Sequence, residues 1–376
     1  MAKGIKVGLL GVGNCASAIV QGVHYYMSKK KSGEVNDVPG VMSRDIGGYD
    51  VTDIEFSTAF DISSHKVGKD LSEAIYARPN LTRLLTSVPL IRVKVQKGAV
   101  LDGVADHMRS VFNPVSDGNP PPSVDDVVEN LKRTHTEILL NTLPVGSEKA
   151  TRFYADAAAK AGVGFINGIP VFIASDPTGS WPSIFEKAGV PLMGDDVKGQ
   201  VGATITHRSL ARLFHMRGVK IDETYQVNIG GNTDFLNMTY EERLHSKRIS
   251  KTEAVTSLLP YGKEMQDEGK IRIGPSDYVP FLENNKVCYI YLKGRSFADY
   301  PLTMNLKLSV DDKSMFAGAM IDAIRIMKLA INEGIKGVLV KPSAFFFKHP
   351  PLQAKDDETA MKWVKDWIGN PKQVGG

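Results

Sequence analysis

The first sixteen residues constrain the fold of this chain more than any other segment. An apolar run at 5–10 leads into the glycine-rich pattern G-x-G-x-x-A at 11–16, and apolar residues then recur at helical spacing up to Val23. This order predicts a strand, a tight turn and a helix, in which the turn lets the backbone approach a pyrophosphate. The alternative is that the glycines only allow the helix to pack closely on the strand. We predict a dinucleotide site with contacts at Gly11, Gly13, Asn14, Cys15 and Ala16.

A second predicted strand, residues 54–60, ends at Asp61. An acid at the end of this strand is where the hydroxyls of a nucleotide ribose are held. It usually follows the glycines by about 20 residues, whereas here a polar, glycine-rich stretch at 29–50 separates them. Because no Arg or Lys follows Asp61 immediately, a 2′-phosphate would have no counter-charge. The cofactor that we predict is therefore NAD and not NADP.

Short strands continue to alternate with helices up to about residue 202. The predicted strands at 138–140, 163–166 and 190–193 each end in a polar or glycine-containing turn. From residue 225 the pattern changes to strands separated by long polar loops, and an amphipathic helix then starts near Phe316. We therefore predict an α/β chain in which a region of α+β character interrupts a parallel-sheet domain. Residues 64–122 mix helical and extended segments, and their sequence predicts no function.

Composition excludes several classes of protein. The 376 residues are 42% hydrophobic and 23% charged, which is typical of a globular chain of about two domains. The net charge is only +4 and the basic residues are scattered, so nucleic acid is not an expected partner. No run approaches the ~18 apolar residues of a membrane span, so we expect a soluble protein that is not a membrane partner. Two cysteines without a C-x-x-C pattern favour a reducing cytoplasm.

Three polar segments carry candidate chemistry. The first, 194–204, has tandem acids at the end of a predicted strand, and its glycines offer free amides that suit a phosphate. The second, 228–235, has a double glycine flanked by Asn and Asp, which suits a polyhydroxylated ligand. The third holds Lys247 and Lys251 on one face of a predicted helix, where they are either solvated or, if buried, acid–base groups. Lys348, a lone cation among aromatic residues, offers the same two interpretations.

Together these motifs resemble the myo-inositol-1-phosphate synthase family in its short prokaryotic form. The resemblance extends over essentially the whole chain, and the motifs occur in the same order. Several long motifs in one order make it specific, unlike the glycine turn alone. It is carried by the segments 11–17, 143–147, 172–177, 194–208, 228–237 and 246–251.

The resemblance implies an NAD-dependent isomerase that cyclises D-glucose 6-phosphate to 1D-myo-inositol 3-phosphate, the first step of inositol biosynthesis. Members of the family oxidise C5 of the sugar, enolise at C6, close the ring by aldol attack on C1 and reduce C5 again, which regenerates NAD. Each step creates or consumes charge on an oxygen, and fixed cations stabilise such charge.

Site residues also follow from the resemblance, position by position. Catalytic residues are implied at Lys247, Lys251, Lys348, Asp196, Asp234 and Asp312, with Lys247 at the C5 oxygen and Lys251 and Lys348 at the enolisation step. Substrate contacts are implied at Gly199, Gln200, Asn232, Lys293 and Arg295. Of these, Lys293 or Arg295 would replace a family lysine near the C1 oxygen that has no clear counterpart here. Cofactor contacts beyond the glycine turn are implied at Asp61, Leu143, Pro144 and Asp196.

The family fold is a Rossmann-type NAD-binding domain built from both chain ends, with an inserted α+β domain for catalysis and tetramerisation. Applied to this sequence, the first domain comprises 1–202 and 316–376, and the inserted domain comprises 203–315. The resemblance also implies a homotetramer and a cation of unknown identity. Because the eight histidines form no metal-spaced cluster, such an ion would rest on carboxylates, backbone and phosphate oxygens.

Two rival functions remain open at this stage. A conventional NAD-dependent dehydrogenase acting on a sugar phosphate would use the same glycine turn and release NADH, although it would not need so many lysines. A catalytically silent sensor of NAD or sugar phosphate would signal through assembly. Intact Lys247, Lys251 and Lys348 argue against the sensor.

Overall fold

The largest layer of the fold is a parallel sheet of seven strands. The computed structural model describes residues 4–33 and 39–372 of the chain. Every neighbouring pair in this sheet is parallel. In spatial order the strands are β13 (Gly337–Val338), β8 (Pro191–Met193), β7 (Gly164–Asn167), β6 (Ile138–Asn141), β1 (Ile5–Leu10), β4 (Ile54–Asp61) and β5 (Val95–Lys97). The sheet therefore takes strands from both ends of the chain.

A second, smaller sheet lies between these strands in the sequence. Its order is β10 (Ile271–Tyr278), β9 (Lys220–Gly230), β11 (Asn285–Arg295) and β12 (Pro301–Asp311). β11 is antiparallel to both β9 and β12, whereas β9 and β10 are parallel. A short hairpin of β2 (Asp45–Ile46) and β3 (Tyr49–Asp50) stands apart from both sheets. The predicted change from a parallel sheet to a partly antiparallel one is confirmed.

Thirteen α-helical segments connect and cover the strands in the described ranges. In chain order they are α1 (Asn14–Lys31), α2 (Leu71–Ala74), α3 (Arg109–Phe112), α4 (Val124–Arg133), α5 (Glu148–Ala161), α6 (Ser180–Ala188), α7 (Ala203–Met216), α8 (Thr233–Asn237), α9 (His245–Thr256), α10 (Gly262–Asp267), α11 (Asp312–Asn332), α12 (Val340–Phe346) and α13 (Asp357–Gly369). Within 4–33 and 39–372, no helix combines the length and apolar character that crossing a bilayer requires.

The turn between β1 and α1 has the conformation that its glycines predict. Gly11 has a φ of 80°, which favours glycine, and a Cβ there would lie 3.2 Å from the carbonyl oxygen of Thr142. Gly13 precedes α1 in an extended conformation, and a Cβ there would have no neighbour within 4 Å. Gly11 is therefore needed for the fold, whereas Gly13 leaves space open beside the first turn of α1.

The long helix α11 returns the chain from the small sheet to the large one. Asp311 ends β12 and caps the helix, because its Oδ1 accepts from the backbone N–H of Lys313 at 3.1 Å and of Ser314 at 2.8 Å. Met320, Ile324 and Met327 are fully buried in the same core cluster as β1.

A separate core cluster unites the helices α7 and α9 with the inner face of the small sheet, and it includes Ala211, Phe214, Val255 and Ile290. An α/β fold with a Rossmann-type sheet from both chain ends is confirmed. The division at 202/203 and 315/316 stays a prediction.

Candidate active site

Two cavities lie at the carboxyl ends of the parallel strands, where open α/β sheets bind ligands. The first, which we call the glycine-turn cavity, has a volume of about 860 Å³ and is lined by Gly11, Gly13, Asn14, Cys15 and Asp61, among others. The second, the lysine cavity, has a volume of about 910 Å³. The two cavities adjoin, because both are lined by Cys15, Thr142, Leu143, Asp234 and Lys313.

Most of the predicted cofactor contacts line the glycine-turn cavity. Leu143 and Pro144, which follow β6, face it together with the turn after β1. The side chain of Asn14 accepts a hydrogen bond from the backbone N–H of Leu81 at 2.6 Å, which ties the turn to a distant loop. Ala16 is fully buried in the core and does not line the cavity. Ala16 therefore supports the close packing of α1 on the sheet.

Asp61 stands at the end of β4, as predicted, and its carboxylate binds the glycine turn. Its Oδ2 accepts from the N–H of Val12 at 2.7 Å, and its Oδ1 accepts from Ile62 and Ser63 at 2.8 Å. The sequence prediction missed Lys66, whose ammonium group lies 4.0 Å from Asp61. This group is buried and donates to the carbonyl oxygen of Val12 at 2.8 Å. Lys66 thus stabilises the glycine turn through its contacts with Val12 and Asp61.

The lysine cavity concentrates positive charge. Asp234 and Asp312 supply carboxylates, and Gly199 lines one wall. Its ammonium groups come from α9, β11, α11 and the loop after α12, and they belong to Lys247, Lys251, Lys286, Lys313 and Lys348. Such a density of fixed cations beside a nucleotide-type turn suits an anionic, phosphorylated substrate.

Asp196 is the carboxylate on which the cluster is organised. It is fully buried after β8, and its Oδ1 accepts from Lys247 at 2.9 Å and from Lys348 at 3.0 Å, while Ser250 donates to its Oδ2. Burial alone would raise the pKa of Asp196, but the ammonium groups of Lys247 and Lys348 hold it well below its ordinary value. Asp196 therefore stays ionised and fixes both lysines.

Lys247 and Lys251 lie one turn apart on α9, but their electrostatic environments differ. Burial lowers the pKa of Lys247, yet the carboxylate of Asp196 more than offsets this and raises it. Burial lowers the pKa of Lys251 well below its ordinary value, and the neighbouring cations Lys286 and Lys247 lower it further. Among the residues that the structure describes, Lys251 has no ion-pair partner of its own. Lys251 therefore loses its proton more readily than an ordinary lysine.

Lys348 closes the cluster from the C-terminal side. Besides Asp196, its ammonium group donates to the carbonyl oxygen of Val197 at 2.6 Å. Burial lowers its pKa to about 8, against the opposing effect of Asp196. The backbone N–H of Lys348 donates to the carbonyl oxygen of Asp196 at 2.7 Å, so the main chain also fixes its position.

Two cavity lysines were not predicted from the sequence. Lys286 pairs with Asp312 at 2.8 Å, and Lys313 pairs with Asp234. Burial alone would raise the pKa of Asp312, but Lys286 and Lys313 hold it far below its ordinary value. A sequence signal for Lys313 existed, because a cation in the first turn of a predicted helix opposes the helix dipole and needs a compensating reason. Lys286, at the start of an ordinary strand, carries no such signal.

Four of the predicted substrate contacts do not line the lysine cavity. Lys293 and Arg295 are exposed and pair with Glu223 and Asp222. They follow Lys286 on the same strand by seven and nine residues, which at ~3.3 Å per residue places them more than about 20 Å further on. Neither residue lines the lysine cavity within the described chain, and a substrate contact at either one stays a prediction.

The other two have structural partners. The side chain of Gln200 donates to the carbonyl oxygen of Gly40 at 2.6 Å. Asn232 caps α8 by accepting from the N–H of Asp234 at 3.0 Å and of Phe235 at 3.4 Å. Neither side chain lines the lysine cavity. Asn232 therefore orients Asp234, which does.

The fold and the two cavities define a class of protein: an α/β enzyme with a nucleotide-type glycine turn beside a cationic pocket for an anionic substrate. Residues 202–313 match the family model described as myo-inositol-1-phosphate synthase. The inositol-3-phosphate synthase of Mycolicibacterium smegmatis is 49% identical over 354 residues, which cover 94% of this chain and 95% of the relative. The chain therefore belongs to the inositol-3-phosphate synthase family.

Two further comparisons agree. The inositol-3-phosphate synthase of Corynebacterium glutamicum is 46% identical, with 94% of this chain and 95% of that protein covered. The crystal structure of a myo-inositol-1-phosphate synthase-related protein from Thermotoga maritima superimposes with a TM-score of 0.80 at 26% identity, and covers 97% of this chain and 98% of its own. Likeness to these proteins thus extends over nearly the full length of the chain.

Proposed function

We propose that this protein cyclises D-glucose 6-phosphate to 1D-myo-inositol 3-phosphate by oxidation at C5, enolisation at C6, aldol closure onto C1 and reduction at C5. The observation that carries the proposal is the junction of the two cavities. A nucleotide-type turn and a cluster of five lysines share a wall formed in part by Cys15, Asp234 and Lys313. A sugar bound by the lysines would thus lie against a cofactor bound at the turn.

The glycine-turn cavity fits the cofactor NAD. Gly13 leaves space where a Cβ would protrude, and the N-terminal amides of α1 follow it directly. We propose that Asp61 holds the ribose hydroxyls and that Leu143 and Pro144 form a wall beside the nicotinamide. When bound, NAD accepts a hydride from the sugar and later returns it. Because the ammonium group of Lys66 is engaged by Val12 and Asn80, it offers no free counter-charge to a 2′-phosphate.

Proton transfer is the task of the lysines. We assign Lys247 to the C5 oxygen, because Asp196 keeps it charged and able to hydrogen-bond a developing oxyanion. Lys251 and Lys348 suit the enolisation step, since removal of a C6 proton needs a neutral amine and both have lowered pKa values. Lys286 takes the place near the C1 oxygen that the sequence assigned to Lys293 or Arg295.

Charge balance also supports a sugar phosphate. Five cavity lysines face the three carboxylates of Asp196, Asp234 and Asp312, which leaves two positive charges when every lysine is protonated. A phosphate monoester carries roughly −1.5 to −2 charges at pH 7.

One experiment tests the function directly. Purified protein is incubated with NAD and glucose 6-phosphate, product is followed by phosphorus and carbon NMR, and cofactor absorbance is recorded in the same tube. Inositol phosphate without net NADH is the expected result. NADH accumulating in step with an open-chain keto or lactone product would establish the rival dehydrogenase. Tight NAD binding with neither signal would favour another sugar phosphate or the sensor.

We further propose that the chain forms a homotetramer through the outer face of the small sheet. Tyr225 and Tyr291 stack there with ring centroids 5.0 Å apart, and Tyr225 and Tyr289 are each 40% exposed. Apolar side chains that remain exposed over an extended sheet face are typical of interaction surfaces. Sedimentation velocity of the protein and of a Tyr225→Lys, Tyr289→Lys variant tests this proposal, and an unchanged mass would contradict it.

A cytoplasmic location is proposed as well. Cys15 and Cys288 are both free thiols. Cys288 is buried in the core of the small sheet and Cys15 lines both cavities, so neither has a structural need for oxidation. Reducing conditions suit such a pair of thiols.

A further inference from the structure

Lys313 differs from the other four cavity lysines in its position. It alone among the five lines both cavities, and its ion-pair partner Asp234 lines both as well. Its side chain is only 4% exposed. A hydride passing between a cofactor in one cavity and a sugar in the other would cross the region beside this ammonium group.

The location is electrostatically expensive. Lys313 is the second residue of α11, where the helix dipole opposes a cation by roughly 0.3–1 kcal/mol, and burial of an ammonium group costs more. Burial would lower its pKa, but Asp234 and Asp312 raise it above its ordinary value. Lys313 therefore carries a permanent charge. A chain that needed only packing at this point could have used an apolar residue.

The three carboxylates of the site are all paired with lysines. Asp196 binds Lys247 and Lys348, and Asp312 binds Lys286. Asp234 binds Lys313 itself. Within residues 4–33 and 39–372, no group of three or more His, Cys, Asp or Glu side chains is placed to hold a metal ion. In the described part of the site, each of these three carboxylates is therefore already engaged by a lysine ammonium group, and none is left unpaired to hold a cation from solution.

We propose that Lys313 is a built-in cation at the junction of the two cavities, which makes turnover independent of any cation supplied by the solution. The inference rests on the proposed function. The ammonium group neutralises Asp234 and lies beside the oxygen that is oxidised and reduced again. It exchanges no proton and forms no bond, so it acts as a fixed positive charge.

The test compares cation dependence in the wild type and in Lys313→Ala. Product formation is measured in buffer whose only cation is tetramethylammonium, with EDTA present, and then after addition of ammonium, potassium or magnesium. The wild-type rate should change less than about twofold. Removal of one preorganised charge-stabilising group typically costs ~10²–10³-fold in rate, so Lys313→Ala should lose about 100-fold. Methylammonium or ammonium, which can enter the vacated space, should restore part of that loss.

Two controls keep the result interpretable. Lys328 lies on the same helix and pairs with Glu137 but lines neither cavity, so Lys328→Ala should keep the wild-type rate and cation independence. Lys313→Arg keeps the charge and should retain more activity than Lys313→Ala. Circular dichroism and NAD affinity show whether each variant is folded, and the wild-type arm of the test needs no variant.

The outcomes separate the inference from the proposed function. A wild-type rate that falls more than tenfold without added cations would overturn the inference and leave the function intact. So would a Lys313→Ala protein that keeps more than half of the rate without added cations. Absence of inositol phosphate from the wild type under every cation condition would overturn both.

Discussion

The glycine-turn cavity and the lysine cavity adjoin, but they are built in different ways. The first is shaped mainly by backbone: the turn after β1, the end of β4 and the loop after β6 meet because parallel strands end at one edge. The second is shaped by long side chains from α9, β11, α11 and the loop after α12. The shape of the first cavity depends mainly on short contiguous segments at the ends of strands. The positive charge of the second cavity comes from lysines on segments that are far apart in the sequence.

This difference has an energetic counterpart. The cost of folding the glycine turn is mainly backbone conformational entropy, of which glycine loses more than any other residue. The lysine cavity brings five cations close together, and three carboxylates offset only part of their repulsion. Burial first, and the neighbouring cations second, lower the pKa values of two of its lysines, Lys251 and Lys348. We therefore expect the acid–base chemistry to reside in the lysine cavity, which distant segments assemble, and not in the local motif.

The largest effect is expected at Lys251. A substitution there should abolish the function of the lysine cavity and leave cofactor binding at the glycine-turn cavity intact. A positioned acid–base group contributes about 10²–10⁴-fold, so Lys251→Met should lower product formation by about 10³-fold while NAD affinity changes less than twofold. Rates come from the NMR assay and affinity from titration calorimetry. Lys263→Met, at an exposed lysine of α10, is the matched control. Undiminished turnover in Lys251→Met would remove this residue from the mechanism.

The electrostatic cost of burying Lys348 can be measured through the pH dependence of the free energy of unfolding. Its pKa is about 8 in the folded protein and about 10.4 in an unfolded chain. Between these values the unfolded state binds more protons, so the contribution of Lys348 to the free energy of unfolding rises with pH, by up to ~3 kcal/mol.

Urea unfolding at pH 7.5, 8.5 and 9.5 measures this effect as the difference between wild type and Lys348→Met. The difference should become more favourable to the wild type as pH rises. Lys365→Met, at an exposed position of α13, should show no such trend. A difference that shrinks with pH would mean that Lys348 is not desolvated.

In the glycine-turn cavity, a substitution at Gly13 should affect cofactor binding and leave stability nearly unchanged. A Cβ at this position meets no protein atom within 4 Å but enters the space left for the cofactor. Gly13→Ala should therefore weaken NAD binding by about tenfold, equivalent to ~1.4 kcal/mol, with little change in stability. Gly11→Ala, at a φ of 80°, should instead destabilise the fold by ~1–2 kcal/mol. Equal NAD affinity in Gly13→Ala and wild type would argue against a cofactor at this turn.

The smallest effect is expected at Lys293 and Arg295, which lie outside both cavities. Their ion pairs with Glu223 and Asp222 are solvent-exposed, and such pairs are worth about 0–1 kcal/mol. Single substitutions to Ala should change kcat/KM for glucose 6-phosphate by less than about twofold. A loss of tenfold or more in either variant would return these residues to the substrate site, for example across an interface between subunits.

Much of the first cavity was predictable because its determinants are contiguous. The spacing of Gly11 and Gly13 after an apolar strand led to the turn, and Asp61 was found at the end of the next long strand. Lys66 escaped attention because it reaches the turn through a loop whose path the sequence did not reveal.

The second cavity was predictable only in part. Lys247 and Lys251 share a helix face, so their proximity followed from the 3.6-residue period. Lys286 meets Asp312 only because β11 and β12 pair antiparallel in one register, and Lys313 meets Asp234 across 79 residues of chain. Strand register and helix docking depend on the packing of the whole small sheet, and no local pattern encodes them.

The sequence by itself determined the parallel sheet, the glycine turn, the acid at the end of β4 and the family to which the chain is similar. These depend on short-range periodicity and on backbone conformations that particular residues favour. Tertiary structure alone decided which lysines face the cavity, that Lys286 and not Lys293 or Arg295 is among them, and that Lys313 stands between the two cavities. The physical reason is that charge interactions act through space, so their partners are set by how distant elements pack.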